Sequence, residues 1–142
     1  MTAKEYLEQL SVLNEMIDQN IERLDELREL AGSTGGIQYG ERVQTSPSGD
    51  ALEKKIVKYV QLEQEIDSEI DMFVDAKKKI IKEIRGLHNK DYISVLYKVY
   101  VQFKSVSETA KEIGKSYSYT AELHRNAISV FENTYKNLSY LY

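Results

Sequence analysis

Side chains able to do covalent or acid–base chemistry are few in this sequence, and they do not cluster. It has two histidines, His88 and His124, and no cysteine, which removes thiolate nucleophiles, disulfides and thiolate metal sites. No His-Glu-x-x-His, no nucleophile elbow and no dinucleotide-type glycine pattern is present. The 23 Asp and Glu residues are spread along wet helix faces. Glu108 and Glu112, four apart, repel one another, and no two carboxylates converge as an acid–base pair requires. The expectation is a protein that is not an enzyme, with no catalytic residue, no metal ligands and no cofactor. The run Gly32-Ser33-Thr34-Gly35-Gly36 has the composition of a phosphate cradle. A P-loop also needs a preceding strand and a Gly-Lys-Ser/Thr ending, and both are missing, so flexible linker is the better reading.

Binding chemistry is a different matter, and it gathers in the last third. Ser105-Val106-Ser107-Glu108 is a capping box opening a short helix that should end at Gly114. Ser116 can then cap a longer helix running to roughly Tyr135. Ala110 sits four residues before the glycine and Leu123 nine beyond it. A small residue where two helices touch, a glycine at the turn and an apolar anchor in the second helix are the marks of a helix-turn-helix. In such a motif the first residues of the second helix face base edges. The candidate DNA contacts are therefore Ser116, Tyr117, Ser118, Ala121, Glu122 and Arg125, with Arg125 suited to a guanine or a phosphate. Lys111 and Lys115 would touch the backbone and supply salt-dependent affinity. The competing reading makes all of these ordinary wet-face residues of a helical bundle, with Tyr117 and Tyr119 as partial core. His124 reads as a surface or packing residue and not as a ligand. Eight of the eleven tyrosines lie at or beyond residue 92, where they could stack on single-stranded bases or, as favoured here, close a small core.

The elements that must position these residues are helical. Gly86-Leu87-His88-Asn89-Lys90-Asp91 breaks the preceding pattern, and Asp91 can cap a new helix. Tyr92–Phe103 fits a helical face through Ile93, Leu96, Tyr97 and Tyr100, yet also alternates like a strand at Val95, Tyr97, Val99, Val101 and Phe103. The helix-turn-helix that follows decides for helix. Upstream, Thr2 and Glu5 form a capping box, and Leu10, Leu13, Ile17, Leu24, Leu27 and Ala31 follow a heptad interrupted by Asn20. Gly32 should close that helix. Residues 32–50 hold five of the seven glycines and the only proline, which reads as a flexible loop. Asp50 with Glu53 should cap a helix over 51–87. Its positions 52, 56, 59, 63, 66, 70, 73, 77, 80, 84 and 87 keep a strict 4-3 spacing, apolar except at Glu63 and Lys77. At ~1.5 Å per residue this rod is about 55 Å long and must pair with another helix. The first helix folding back, a second copy of the chain, or both together would serve. Lys77 fits a snorkelling stem. Asn20 and Glu63 are either register-fixing polar residues or solvated positions where the seam opens.

Composition agrees with helices that have one buried and one wet face: 42% hydrophobic, 30% charged, one proline. Net charge is −4, unevenly placed. Residues 88–142 carry seven Lys/Arg against five Asp/Glu, a surplus of two, so the front is acidic and the back mildly basic. The N-terminus lacks the apolar core of a signal peptide, and no stretch approaches the ~18 apolar residues of a membrane span. A soluble, cytoplasmic protein is expected.

The stretch Val95–Tyr100, Lys104–Gly114 and Leu123–Ile128 resembles the DNA-binding end of sigma factors, region 4. It is more similar still to late-gene transcriptional regulators of the ArpU and RinA type, found in phages and prophages of Gram-positive bacteria. Val43–Asp50 and the long helix after it share that likeness, so it covers nearly the whole chain. The sequence departs from the common pattern at Val99 (arginine), Phe103 (glycine), Val106 (tryptophan), Thr109 and Thr120 (aliphatics) and Lys115 (an apolar turn residue). The resemblance implies a sequence-specific or polymerase-recruiting regulator in a bacterial host cell. The expected architecture is all-α: a coiled-coil hairpin over 1–87, then a helix-turn-helix bundle over 88–142. Expected partners are double-stranded DNA, bacterial RNA polymerase and a second copy through the long helix, with no membrane. A coiled-coil protein adaptor, or a DNA-packaging adaptor without sequence-specific binding, is the alternative.

Overall fold

Thr2 opens the first helix as its capping box requires. Its hydroxyl accepts the Glu5 amide at 3.1 Å and donates to the Glu5 carboxylate at 3.1 Å. The computed structural model describes residues 1–37 and 46–142. Among these the chain is all-α, with α1 Ala3–Ile37, α2 Ser46–Arg85, α3 Lys90–Leu96, a π-helical turn Tyr97–Val101, α4 Val106–Ile113 and α5 Tyr117–Thr134. Among the described residues no helix is long and apolar enough to cross a membrane.

Several expected boundaries move. Helix α1 continues past Gly32 to Ile37, because glycine permits a left-handed ending but does not force one, at a cost of only ~1 kcal/mol in a helix interior. Helix α2 already begins at Ser46, so Asp50 lies inside it and is not its cap. Pro47 sits in the first turn, where a missing N–H is harmless. The loop expected at 32–50 is thereby shortened from both ends, and residues 38–45 lie outside the described residues. Asn89, not Asp91, caps α3: its side-chain oxygen accepts the amides of Asp91 and Tyr92 at 3.0 and 3.1 Å. Asp91 then falls in the first turn, where its charge suits the helix dipole.

The ambiguous stretch 92–103 is helical. Its buried residues come as two adjacent pairs five apart, Val95-Leu96 and Tyr100-Val101. An α-helix would swing the second pair well off the face of the first. The π-turn, seen in the Gln102 amide bonding to the Tyr97 carbonyl at 3.0 Å, widens the coil and keeps both pairs inward.

The chain forms two compact units, Met1–Asn14 with Met72–Tyr142, and Glu15–Asp71. These units do not follow the boundary expected after residue 87: both ends of the sequence belong to one of them. Its core joins Ala3, Tyr6, Leu7, Leu10 and Leu13 of α1, Ala76, Ile80 and Ile84 of α2, the two inward pairs of α3 and the π-turn, and Ala127 and Phe131 of α5. Gln9 is buried here and fully occupied. It donates to the carbonyls of Tyr6 at 2.9 Å and Ser139 at 3.3 Å, and accepts the Leu141 amide at 2.7 Å. A single side chain thereby ties the C-terminal segment to α1. Tyr6 donates to the Glu83 carboxylate at 2.5 Å and Tyr135 to the Glu83 carbonyl at 2.7 Å. Burial first, then the Glu83 contact, raises the Tyr6 pKa. The Tyr135 hydroxyl occupies the space a Cβ on Gly86 would need. Lys77 lays its ammonium 5.8 Å from the Phe73 ring, consistent with a stem lying along apolar surface.

The other unit is an antiparallel helix pair: Asn20 bonds Glu69 at 2.5 Å, and Arg28 bonds the Tyr59 hydroxyl at 2.7 Å. Asn20, bonded also by Arg23 at 3.0 Å, is therefore a partnered polar position. Ile17, Leu62 and Ile66 are buried between the helices, while Leu52, Ile56, Val57, Val60 and Ile70 are exposed. Glu63 is exposed as well, a solvated position. The strict 4-3 seam is therefore the buried line only in part: Ile66, Ile80 and Ile84 are covered, while Leu52, Ile56, Glu63 and Ile70 are not. A straight helix drifts ~20° per heptad against a 3.5-residue repeat, and the contact moves onto Leu62, outside the heptad register.

Candidate nucleic-acid interface

Two short devices of the same design build the turn. Ser105 accepts the Glu108 amide at 3.0 Å and Ser116 accepts the Tyr119 amide at 3.1 Å, so each serine caps the helix it precedes. Four residues after each cap lies a fully buried threonine. Thr109 donates its hydroxyl to the Ser105 carbonyl at 2.9 Å, and Thr120 to the Ser116 carbonyl at 2.8 Å. This local bond lets a threonine replace an aliphatic residue in the core without orphaning its hydroxyl. Between the two devices Gly114 closes α4 in the left-handed region, φ 70 and ψ 34. The Lys115 amide reaches the Ala110 carbonyl at 3.0 Å and the Gly114 amide the Lys111 carbonyl at 3.3 Å, which is the Schellman closure. Ala110 is buried.

Helix α5 is fixed further along by His124. Its Nε2 lies 2.7 Å from the Tyr100 hydroxyl, and the two rings stack at 5.5 Å between centroids. Of the two roles expected for it, surface or packing, His124 takes packing. Burial, then the charges of Lys4 and Arg125, lowers its pKa. Burial, then Glu8, raises that of Tyr100.

The front of α5 is open. Lys111, Lys115, Ser116, Tyr117, Ser118, Glu122 and Arg125 are exposed, and Ala121 is half-buried. Ser118, Glu122 and Arg125 share one stripe at spacings of four and three, while Ala121 leans toward the core. Tyr117 and Tyr119 are exposed, so neither is core. The Lys115 ammonium lies 5.6 Å from the exposed Tyr119 ring, a surface role that helical spacing does not show. Of the C-terminal tyrosines, Tyr100 is core and Tyr92, Tyr97 and Tyr135 pack against it, whereas Tyr140 and Tyr142 are exposed.

Charge on this surface is thinner than the residue count implies. Glu112 takes Lys98 at 3.0 Å and Lys104 at 2.6 Å, and these two bonds hold its pKa below the usual carboxylate range. Helical spacing alone showed only the repulsion between Glu108 and Glu112, because both lysines come from outside α4. None of the ion pairs among the described residues involves Lys111, Lys115 or Arg125. Among the described residues no group of three or more His, Cys, Asp or Glu could hold a metal ion. No protein-family model, curated protein or solved structure matches the chain.

Proposed function

We propose that this protein is a phage-type transcription regulator, without enzymatic activity, that binds double-stranded DNA in the bacterial cytoplasm through α4 and α5. One observation carries this reading: the N-terminal turn of α5 is capped by Ser116, braced by α4 across the Gly114 closure, and solvent-exposed over Ser116–Ser118. A recognition helix needs that combination to enter a major groove. Arg125 addresses a base edge or phosphate, and Lys111 and Lys115 the backbone. The paired helices of Glu15–Asp71 serve dimerisation or polymerase contact, and the exposed Leu52, Ile56, Val60 and Ile70 favour such a role, since apolar patches mark interaction surfaces. Selection of bound fragments from bacterial and phage genomes at ~0.15 M salt, where non-specific binding is suppressed, tests the proposal. Recovery of a shared motif supports it, and random recovery rejects it.

A second reading, a protein adaptor or DNA-packaging adaptor, has its own support. Glu122 stands in the reading stripe, and Glu112 neutralises Lys98 and Lys104. Ring-like oligomers in light scattering, with no mobility shift of any DNA, would favour it.

A further inference from the structure

At the end of the π-turn, backbone and residue type disagree. Phe103 adopts φ 58, and the Lys104 amide closes onto the Lys98 carbonyl at 3.0 Å, one residue wider than an α-helical closure because the π-turn precedes it. A residue closing a helix in the left-handed region is ordinarily glycine, since a Cβ is strained there. Packing covers the side chain only in part: Phe103 is 40% exposed. A left-handed backbone and an aromatic side chain left 40% exposed are each unfavourable for the free protein. Strain kept at a surface position points to a task for the side chain.

An open groove of about 380 Å3 surrounds the ring, walled by Glu8 and Ser11 of α1, Val99 and Tyr100 of the π-turn, and Glu108 of α4. Its carboxylates are short of cations. Among the described residues Glu8 has only Lys4 as a cation, at 4.0 Å, and Glu108 accepts only a side-chain hydroxyl, that of Ser105 at 3.3 Å. Lys104, the one lysine lining the groove, is claimed by Glu112 at 2.6 Å. The result is an apolar floor set between two under-neutralised carboxylates.

We infer that the groove at Phe103 docks a segment of a partner protein that presents a bulky apolar side chain flanked by lysine or arginine. The apolar side chain covers Phe103 and Val99, and the cations meet Glu8 and Glu108. Nucleic acid is the wrong occupant, since both carboxylates repel phosphate. The inference does not depend on DNA binding by α5.

The test uses the 15N-labelled full chain, titrated with the blocked hexapeptide Lys-Lys-Leu-Phe-Lys-Lys and with its counterpart in which glutamate replaces every lysine. The cationic peptide should shift amides of Val99–Ser105 and those near Glu8, and the acidic one should not. Phe103→Gly should weaken cationic-peptide binding about ten-fold or more, equivalent to ~1.4 kcal/mol, while leaving Tm unchanged or raised, because glycine relieves the backbone. The double variant Glu8→Gln with Glu108→Gln should also weaken binding, and glutamine preserves the α4 capping box. The proposal is overturned if shifts scatter over the surface, if both peptides bind alike, if Phe103→Gly binds as the wild type does, or if Phe103→Gly lowers Tm by several degrees. A concentration-dependent dimer abolished by Phe103→Gly would give the groove to a second copy and would equally overturn it.

Discussion

At the scale of residues, His124 is the clearest link between packing and a measurable property. It faces Tyr100 from the π-turn, with Lys4 of α1 and its neighbour Arg125 nearby. Burial leads the lowering of its pKa, so the folded chain holds this proton less readily than the unfolded one. Stability from this site is present above the ordinary histidine pKa of ~6.5 and is lost as pH falls through it toward the lowered value. Tm measured from about pH 8 to pH 5 should therefore fall more steeply in the wild type than in His124→Gln, which removes one titration from that window. Parallel curves would show that the imidazole is not desolvated as described. Beside Leu123, His124 was legible as a surface or packing residue and not as a ligand, though not which of the two. Its partner was not, since nothing in local spacing links residue 124 to residue 100. The Glu112 clamp was hidden for the same reason, its lysines lying 14 and 8 residues upstream outside the helix.

At the scale of elements, the turn between α4 and α5 is the part read most fully from sequence. Ser105, Glu108, Gly114 and Ser116 each have a stereochemical task that depends on near neighbours alone. Gly114 tests this directly. A Cβ there would meet nothing within 4 Å, so the only demand on the residue is its positive φ. Gly114→Ala should cost about 1–2 kcal/mol in denaturant unfolding from left-handed strain alone, and Gly114→Asn clearly less, because asparagine visits that region more readily. Equal losses would mean that the closure is not left-handed in solution. Element ends were less legible where residue types only permit a conformation. Gly32 permits a stop, yet α1 runs through Gly32, Gly35 and Gly36 to Ile37, and Pro47, a residue type suited to a loop, stands in the first turn of α2. Heptad spacing identified α2 as a long amphipathic helix. It identified only some of the residues that are covered: Ile66, Ile80 and Ile84 are buried, but so is Leu62 off the seam, while Leu52, Ile56 and Ile70 are not; periodicity describes a stripe and not its partner.

At the scale of the molecule, the same stripe meets two environments. In the unit holding both chain ends it is sealed by α3, the π-turn, α5 and the segment that Gln9 ties down. In Glu15–Asp71 it belongs to a pair of helices that leaves large apolar residues in water. Sequence periodicity could not place that division, since contacts between residues near 9 and near 140 leave no local trace. The proposed function rests on the exposed front of α5. The most direct measurement is the salt dependence of binding to a DNA fragment recovered by genomic selection, compared for wild type, Lys115→Ala and Arg125→Ala with helicity confirmed by circular dichroism. Lys115→Ala should make the slope of log K against log salt shallower by about one. Arg125→Ala should lose about 1–3 kcal/mol and relax discrimination at one base pair. Retention of DNA at wild-type affinity and slope by both variants would contradict the account.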